Sequence, residues 1–192
     1  MSEILEKLFN SKIRTKFFRL FLNNPEQGYF SKEVAKKLKV SLSDARREIK
    51  NLEQIKFLIS RKKSGRAYYY INSSFVFYDE LKKLIFKANP SSSDKIISRV
   101  MKLGQIRFVL ISGALINSDK GRVDIMIVGE HINKSRLKNF LSDVEAEVGK
   151  VVNYVCMSTD EFKYRQGMFD KFVIDILEGP NKILIDKLKT NV

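Results

Sequence analysis

The stretch Ser41-Leu42-Ser43-Asp44-Ala45-Arg46-Arg47-Glu48-Ile49-Lys50-Asn51-Leu52 decides the fold that we predict for the N-terminal half of the chain. Its start has the S-x-x-D form of a capping box, in which a serine side chain accepts a hydrogen bond from the first helical turn. Leu42, Ala45, Ile49 and Leu52 then recur at helical spacing and fall on one stripe. The segment therefore predicts an amphipathic helix from about residue 42 to residue 56.

The face opposite this stripe is polar and basic. With successive residues about 100° apart, the outward positions are Ser43, Arg47, Lys50, Asn51 and Gln54, and we add Arg46 to the predicted contacts. Arginine and lysine bond to guanine edges or phosphates, asparagine and glutamine pair with adenine, and a helix fits the major groove. This composition favours a recognition helix for duplex DNA. A solvated helix face with no partner is the alternative.

Two further helices are predicted before this segment. Apolar residues at helical spacing predict one from about Ser11 to Asn23, ending before Asn24-Pro25. Ser31 is the predicted N-cap of a short helix from Lys32 to Leu38. Only Lys39-Val40 then precede the capping box, so the predicted order is helix, tight turn, helix.

A basic hairpin is predicted directly after the third helix. The β-prone runs 57–61 and 67–71 are joined by Lys62-Lys63-Ser64-Gly65-Arg66. The cationic side chains at its tip are Arg61, Lys62, Lys63 and Arg66. A basic hairpin in this position is typical of a wing that contacts the minor groove or the flanking phosphates.

Taken together, these segments resemble the winged helix-turn-helix regulators of the ArsR and MarR type. The resemblance covers residues 11–88. It rests on the helix start Ile13-Arg14, on the stretches 31–35 and 45–53, and on the wing-closing stretch 65–72. A helix predicted over 75–87 is similar to the trailing helix that such regulators use for dimer contacts or to link a second domain. The resemblance implies double-stranded DNA as the partner and a homodimer whose recognition helices contact half-sites one duplex turn apart.

The distribution of charge also distinguishes the two halves. The chain has 192 residues and a formal net charge of +14, from 36 Lys and Arg against 22 Asp and Glu. Residues 1–90 carry 20 basic and 9 acidic side chains, an excess of 11, whereas residues 91–192 carry 16 and 13, an excess of 3. This asymmetry indicates a polyanionic partner for the N-terminal half. We predict a DNA-binding domain over 1–88, a linker over 89–94 and a second domain over 95–192.

The second domain alternates strands and helices. Apolar runs predict strands over 106–111, 123–128 and 151–157 and a short strand over 183–185. Helices are predicted over 96–103, over 134–148, from a cap near 158–159, and over 169–177. With the helices and hairpin of the first domain, the predicted fold class of the chain is α+β.

The order of a strand, the turn Ser112-Gly113 and a strand that bears Asp124 resembles the minimal nucleotidyltransferase domain of the DNA polymerase β superfamily. The resemblance implies a nucleoside triphosphate at the turn and Mg²⁺ held by two aspartates of a D-x-D strand and a third acid on a later strand. Here Arg122 and Met126 flank Asp124 at the D-x-D spacing, and the later strand offers Asn153.

One carboxylate therefore remains where that chemistry needs three. We predict a vestigial nucleotide or metal site at Ser112, Gly113 and Asp124, with no catalytic residue, no bound metal and no cofactor. Arg122 is expected to form a charge pair with Asp124. Asp119 in the preceding loop is the acid that could restore a site.

Composition excludes several other classes of protein. One cysteine, Cys156, and one histidine, His131, rule out an intrachain disulfide and a His/Cys metal site. We expect Cys156 to be buried and inert. No apolar run approaches the roughly 20 residues of a membrane-spanning helix, and the first residues lack a signal-peptide pattern. We therefore expect a cytoplasmic protein with no membrane association.

The prediction for function is a DNA-binding transcriptional regulator that is not an enzyme. The resemblance assigns its second domain to dimer formation, to a small-molecule effector or to a protein partner. Two alternatives stay open: a Mg²⁺-dependent nucleotidyltransferase with a DNA-binding module, and an antitoxin-like partner protein. A complete set of metal-binding carboxylates would favour the first, and co-purification with a fixed partner the second.

Overall fold

A computed structural model describes residues 2–63, 65–88, 93–118 and 121–190, with the side chains of residues 2 and 3 left aside. The chain is a mixed α+β protein, as predicted. It divides into two compact units, Met1–Ala88 with Glu145–Lys150, and Asn89–Val144 with Val151–Val192. Residues 89–92 of the predicted linker lie outside the described residues, and residues 93 and 94 already belong to a helix. None of the helices formed by the described residues is long and apolar enough to cross a membrane.

The first unit contains five helices and one antiparallel hairpin among its described residues. In chain order they are α1 (Ser2–Leu8), α2 (Lys12–Asn23), α3 (Ser31–Leu38), α4 (Leu42–Gln54), β1 (Leu58–Lys63), β2 (Arg66–Ile71) and α5 (Tyr78–Lys87). Aromatic side chains fill its core, where Phe17 stacks on Phe21 and Phe18 meets Phe57 edge to face, all four being buried. The predicted stripe of α4 faces this core, with Ala45, Ile49 and Leu52 buried.

Three helix boundaries differ from prediction for local reasons. Ser31 was predicted as the N-cap of α3, but Phe30 takes that position and its backbone N–H donates to the Glu33 carboxylate at 3.1 Å. The third helix was predicted to end near residue 56, yet α4 ends at Gln54 because Lys56 adopts a left-handed conformation (φ 59°). The trailing helix starts at Tyr78 rather than at residue 75.

A tight turn and an ion pair fix α4 against its neighbours. Lys39 is left-handed (φ 52°) at the end of α3, and the Ser41 hydroxyl accepts a hydrogen bond from the Asp44 N–H at 3.0 Å at the start of α4. On the inner side of α4, the buried Glu48 accepts from the Arg14 Nε of α2 at 2.6 Å. A buried carboxylate requires such a partner, so this pair ties the orientation of α4 to α2.

The second unit is a four-stranded sheet with helices. Its described elements are α6 (Ser93–Val100), β3 (Gln105–Ser112), β4 (Ile125–Glu130), α7 (Lys134–Val148), β5 (Tyr154–Met157), α8 (Thr159–Gly167), α9 (Lys171–Glu178) and β6 (Asn181–Asp186). The strand order is β5-β4-β3-β6, with β4 and β5 parallel and the other pairs antiparallel. The last residues of α7 belong to the first unit.

Both faces of this sheet are covered, which accounts for the nearly continuous apolar strands. On one face Phe108 and Val128 pair across β3 and β4 and pack with Phe162 of α8. The alternate residues Val109 and Ile127 point the other way and are also buried. The predicted strands over 123–128 and 151–157 begin later, at 125 and 154, and the predicted helix over 96–103 instead spans 93–100.

Candidate nucleic-acid interface

The outer face of α4 presents most of the predicted contact residues to solvent. Ser43, Arg46, Arg47, Lys50 and Gln54 are all exposed. Asn51 was predicted to point outward, but it is half-buried and its amide Nδ2 donates to the Glu48 carboxylate at 3.4 Å. Asn51 therefore supports the pair that the half-buried Arg14 forms with the buried Glu48. Helical spacing could not predict this, because the contact with Glu48 holds the amide inward.

Arg47 is exposed but held by an ion pair. It is 71% exposed, and its Nη2 lies 2.5 Å from Oδ1 of Asp44, one turn earlier on α4. The second carboxylate oxygen of Asp44 accepts from the Ser41 hydroxyl at 2.6 Å. The chain Ser41–Asp44–Arg47 therefore holds the guanidinium over the first turn of α4. The three-residue spacing of an acid and a base on a helix is the signal that could have predicted this pair.

The hairpin tip is exposed and cationic. Arg61, Lys62, Lys63 and Arg66 are all exposed, and Lys63 lies opposite Arg66 in the register of β1 and β2. Ser64 lies outside the described residues, and Gly65 has a φ of 73° with no atom near the position of an added Cβ. A left-handed residue at the turn explains the glycine there. The loop between α4 and β1 is only three residues long, so the hairpin follows α4 immediately in the chain.

Two arginines of the hairpin lie against aromatic rings, a feature that we did not predict. The Arg61 guanidinium carbon is 5.2 Å from the centre of the Tyr70 ring, and that of Arg66 is 5.9 Å from the Phe30 ring. Phe30 also meets Tyr68 edge to face at 6.0 Å. Such contacts limit the rotamers of the arginines while leaving their N–H groups able to donate. The alternation of residues along β1 and β2 was the available signal for the Arg61–Tyr70 contact.

Tyr70 and Tyr69 have structural roles on opposite faces of the hairpin. A Cβ added to Gly28 would lie 2.2 Å from the Tyr70 ring, so this ring packs directly on the glycine. The backbone of Tyr69 bridges that of Tyr29 through two hydrogen bonds. Burial raises the pKa of Tyr69, and Glu53 of α4 raises it further, while Arg46 of α4 opposes this shift. Arg46 therefore lies on the side of α4 that is within electrostatic reach of β2.

The predicted vestigial site of the second unit has a different internal structure from the one expected. Arg122 was expected to pair with Asp124, but its Nη2 lies 2.5 Å from Oδ2 of Asp175 on α9. The buried Asp124 carboxylate instead accepts two backbone N–H groups, from Ala114 at 2.6 Å and from Asn153 at 2.8 Å. Asn153 thus contributes its backbone rather than its side chain.

Ser112 and Gly113 complete this arrangement. The Ser112 hydroxyl donates to the carbonyl of Val123, and Gly113 is left-handed (φ 52°) with the Asp124 Oδ1 at 2.2 Å from the position of an added Cβ. The three predicted residues are therefore adjacent, and the carboxylate joins the turn to the neighbouring strands. Among the described residues, no group of three or more His, Cys, Asp or Glu side chains could hold a metal ion. Asp119 lies outside the part of the chain that the structure describes.

The single histidine and cysteine also have defined environments. His131 is exposed in the turn after β4, with a φ of 53°. Cys156 was expected to be buried but is half-buried on β5, a strand at the edge of the sheet. Burial raises the pKa of its thiol, and the nearby Glu161 carboxylate raises it further, so the less nucleophilic protonated form is favoured.

Comparison with known proteins gives no match. No protein-family model matches the chain, and no curated protein or solved structure matches it significantly. The assignment of a function therefore rests on the geometry and charge described above.

Proposed function

We propose that this protein is a DNA-binding transcriptional regulator whose first unit is a winged helix-turn-helix domain. The observation that carries the proposal is the exposed row of Arg46, Arg47 and Lys50 on α4, followed after a three-residue loop by a hairpin whose tip is basic. A row of cations and hydrogen-bond donors on one face of a helix suits the major groove. The excess of 11 basic residues over 1–90 supports a polyanionic partner.

In this proposal the elements of the first unit have separate roles. α3 and the turn at Lys39 support α4, and α4 inserts its outer face into the major groove. The tip residues Arg61, Lys62, Lys63 and Arg66 contact the minor groove or flanking phosphates. Arg61 and Arg66 are pre-oriented by their aromatic neighbours, which lowers the entropic cost of binding.

We further propose that the second unit is not catalytic and serves as the site of an effector or as part of a homodimer. Both oxygens of the Asp124 carboxylate accept backbone N–H groups, which argues against a role for it as a metal ligand. A homodimer would supply two copies of α4 for two half-sites, as symmetric DNA sites require.

The test is binding of the full-length protein to a labelled random duplex of about 25 base pairs over a series of salt concentrations, measured by fluorescence anisotropy. Lys50→Ala removes one exposed cation from α4. Lys163→Ala is the matched control, because it also removes one exposed cation, from α8 in the second unit. We expect salt-dependent binding by the wild type, and about three- to tenfold weaker binding by Lys50→Ala at low salt. Lys163→Ala should bind like the wild type.

Two results would contradict the proposal. If the folded wild-type protein does not bind the duplex at low salt, duplex DNA is excluded as its partner. Equal weakening by both variants would mean that binding follows net charge and not the α4 face.

A further inference from the structure

A cavity in the second unit lies at the opposite end of the sheet from Asp124. Its volume is about 890 Å³, and its walls come from residues 99–104 before β3, from the turn at His131 and Asn133 after β4, and from the first turns of α7. The pairing of Gln105 with Glu130 brings these segments together. Ile111 pairs with Ile125 near Asp124, so the cavity and the vestigial site are separated by roughly 20 Å along β3, at 3.3 Å per residue.

The walls of this cavity favour an anion. Arg99, Lys102 and Arg136 line it, against one acidic residue, Asp143. Lys102 and Arg136 are exposed, and the Arg136 Nη1 donates to the Lys102 carbonyl at 3.1 Å, which fixes the guanidinium beside the wall. This bond uses one of the five N–H donors of the guanidinium. A planar group with several N–H donors suits the oxygens of a phosphate.

The start of α7 adds to this preference. The Asn133 side chain accepts from the Arg136 N–H at 3.0 Å and begins the helix, and Asn133 also lines the cavity. α7 is 15 residues long, and the positive end of its helix dipole lies beside Asn133. The dipole therefore favours an anion in the same cavity as the cationic side chains do. The Asn133 N–H donates to the Leu103 carbonyl at 2.9 Å, which joins this turn to the segment before β3.

Part of the cavity lining is apolar. Leu103 and Phe140 are buried there, and Met101 is partly exposed beside them. A cavity of 890 Å³ is within the range of about 300–1,000 Å³ that is usual for small-molecule sites. A lining that combines cations with an aromatic and two aliphatic side chains suits a ligand that carries both a phosphate and a ring.

We propose that this cavity binds a phosphorylated small molecule of the size of a nucleoside monophosphate. Lys102, Arg136 and the start of α7 would hold the phosphate, and Leu103 and Phe140 would contact the ring. The inference specifies the effector suggested above for the second unit, and it rests on that proposed role. Its test contains no DNA, so a failure of this site and a failure of DNA binding are separate results.

The test is isothermal titration calorimetry of the full-length protein with adenosine 5′-monophosphate, inorganic phosphate and adenosine. We expect one molecule of the monophosphate per chain, weaker binding of phosphate and no detectable binding of adenosine. Lys102→Ala and Arg136→Ala should each weaken the monophosphate about tenfold, as the loss of a charge-assisted bond does. Lys163→Ala on α8 is the charge-matched control and should not change the affinity.

Thermal unfolding of the same variants checks that they are folded. Arg136→Lys keeps the positive charge but removes the planar set of N–H donors. No binding of monophosphate or phosphate at millimolar concentrations would overturn the proposal. Equal affinities in wild type, Lys102→Ala and Arg136→Ala would also overturn it, since the ligand would then bind elsewhere.

Discussion

At the scale of single residues, the pair Asp44–Arg47 limits how the outer face of α4 can meet a partner. An exposed ion pair contributes little to stability, with a typical value below about 1 kcal/mol. The effect of the 2.5 Å contact is therefore on orientation and on local charge. Asp44 holds the guanidinium in place and also places a carboxylate at the end of α4 that would approach DNA.

These two effects predict opposite consequences for specific and non-specific binding. Asp44→Asn removes the repulsion between a carboxylate and phosphates, so it should bind random duplex several-fold more tightly at low salt. The same change frees Arg47 and should reduce the preference for the best sequence. Arg47→Ala should weaken the free energy of binding to that sequence by about 1–3 kcal/mol. Competition between preferred and random duplexes measures both quantities. Equal discrimination by wild type and Asp44→Asn would show that Asp44 does not orient Arg47 in the complex.

Asp124 allows a prediction about stability. Asp124→Asn keeps the size of the side chain but replaces one acceptor oxygen with an NH₂ group that faces a backbone N–H. Because the residue is buried, the free energy of unfolding should fall by about 1–3 kcal/mol, the usual cost of an unpaired buried donor. Urea denaturation measures this change.

Asp175→Asn is the control for this variant, because it removes an equal charge from the more exposed pair with Arg122. Its effect should stay below about 1 kcal/mol. If both substitutions change stability equally, the two backbone hydrogen bonds of Asp124 contribute nothing beyond an ordinary charge pair.

Residue-scale prediction from the sequence succeeded where helical spacing alone decides the outcome. Exposure of Arg47 and Lys50 follows from the helical period. The i,i+4 spacing of Glu161 and Arg165 likewise accounts for their ion pair at 2.8 Å in the structure. It failed where a partner comes from a distant part of the chain. Arg122 pairs with Asp175, which is 53 positions later in the chain. We had expected Asp124 as its partner because Asp124 is close to Arg122 in the sequence.

At the scale of elements, α4 and the hairpin are expected to differ in what they contribute to binding. The hairpin tip carries lysines whose partners would be phosphates, so it should add affinity without selecting a sequence. The double variant Lys62→Ala/Lys63→Ala should weaken preferred and random duplexes by the same factor. The slope of log K against log salt should fall by about 2.

The control for the hairpin is Lys134→Ala/Lys138→Ala on α7, which removes two exposed cations from the second unit. It should leave the slope unchanged. A loss of discrimination in the hairpin variant would instead mean that the tip contacts base edges.

Most elements could be predicted because local patterns determine them. The stripe of α4 and the Ser41 cap define that helix, and the span 134–148 of α7 agrees with the periodicity. Boundaries were less accurate where backbone hydrogen bonds with other segments decide them. β4 begins after Asp124 because this carboxylate and the backbone of the residue bond to neighbouring segments, which no local pattern reveals.

At the scale of the whole molecule, the sequence shows that charge differs between the two halves, but it does not show that the end of α7 belongs to the first unit. Residues 145–150 belong to the first unit, in which the Arg19 guanidinium donates to the Glu147 carbonyl at 3.0 Å and the Asn23 amide to the Val148 carbonyl at 2.8 Å. α2, which carries both donors, also carries Arg14, the partner of Glu48 on α4. Contacts between residues more than 100 positions apart leave no periodic signal in one sequence.

The cavity beside the first turns of α7 was missed for the same reason. Its cations come from two separate segments, Arg99 and Lys102 before β3 and Arg136 on α7, and each segment alone is typical of a solvated surface. Only the antiparallel pairing of β3 and β4 places 99–104 next to the turn at His131. A sequence search for clustered charges would not find this site.

The most direct test of the central claim, that α4 recognises a DNA sequence, is selection of duplexes from a random library by the full-length protein at about 150 mM ionic strength. We predict enrichment of one motif by the wild type, enrichment by Lys163→Ala that matches it, and loss of the motif in the double variant Arg47→Ala/Lys50→Ala. Recovery of the same motif by that double variant, or no enrichment by the folded wild-type protein, would contradict the account.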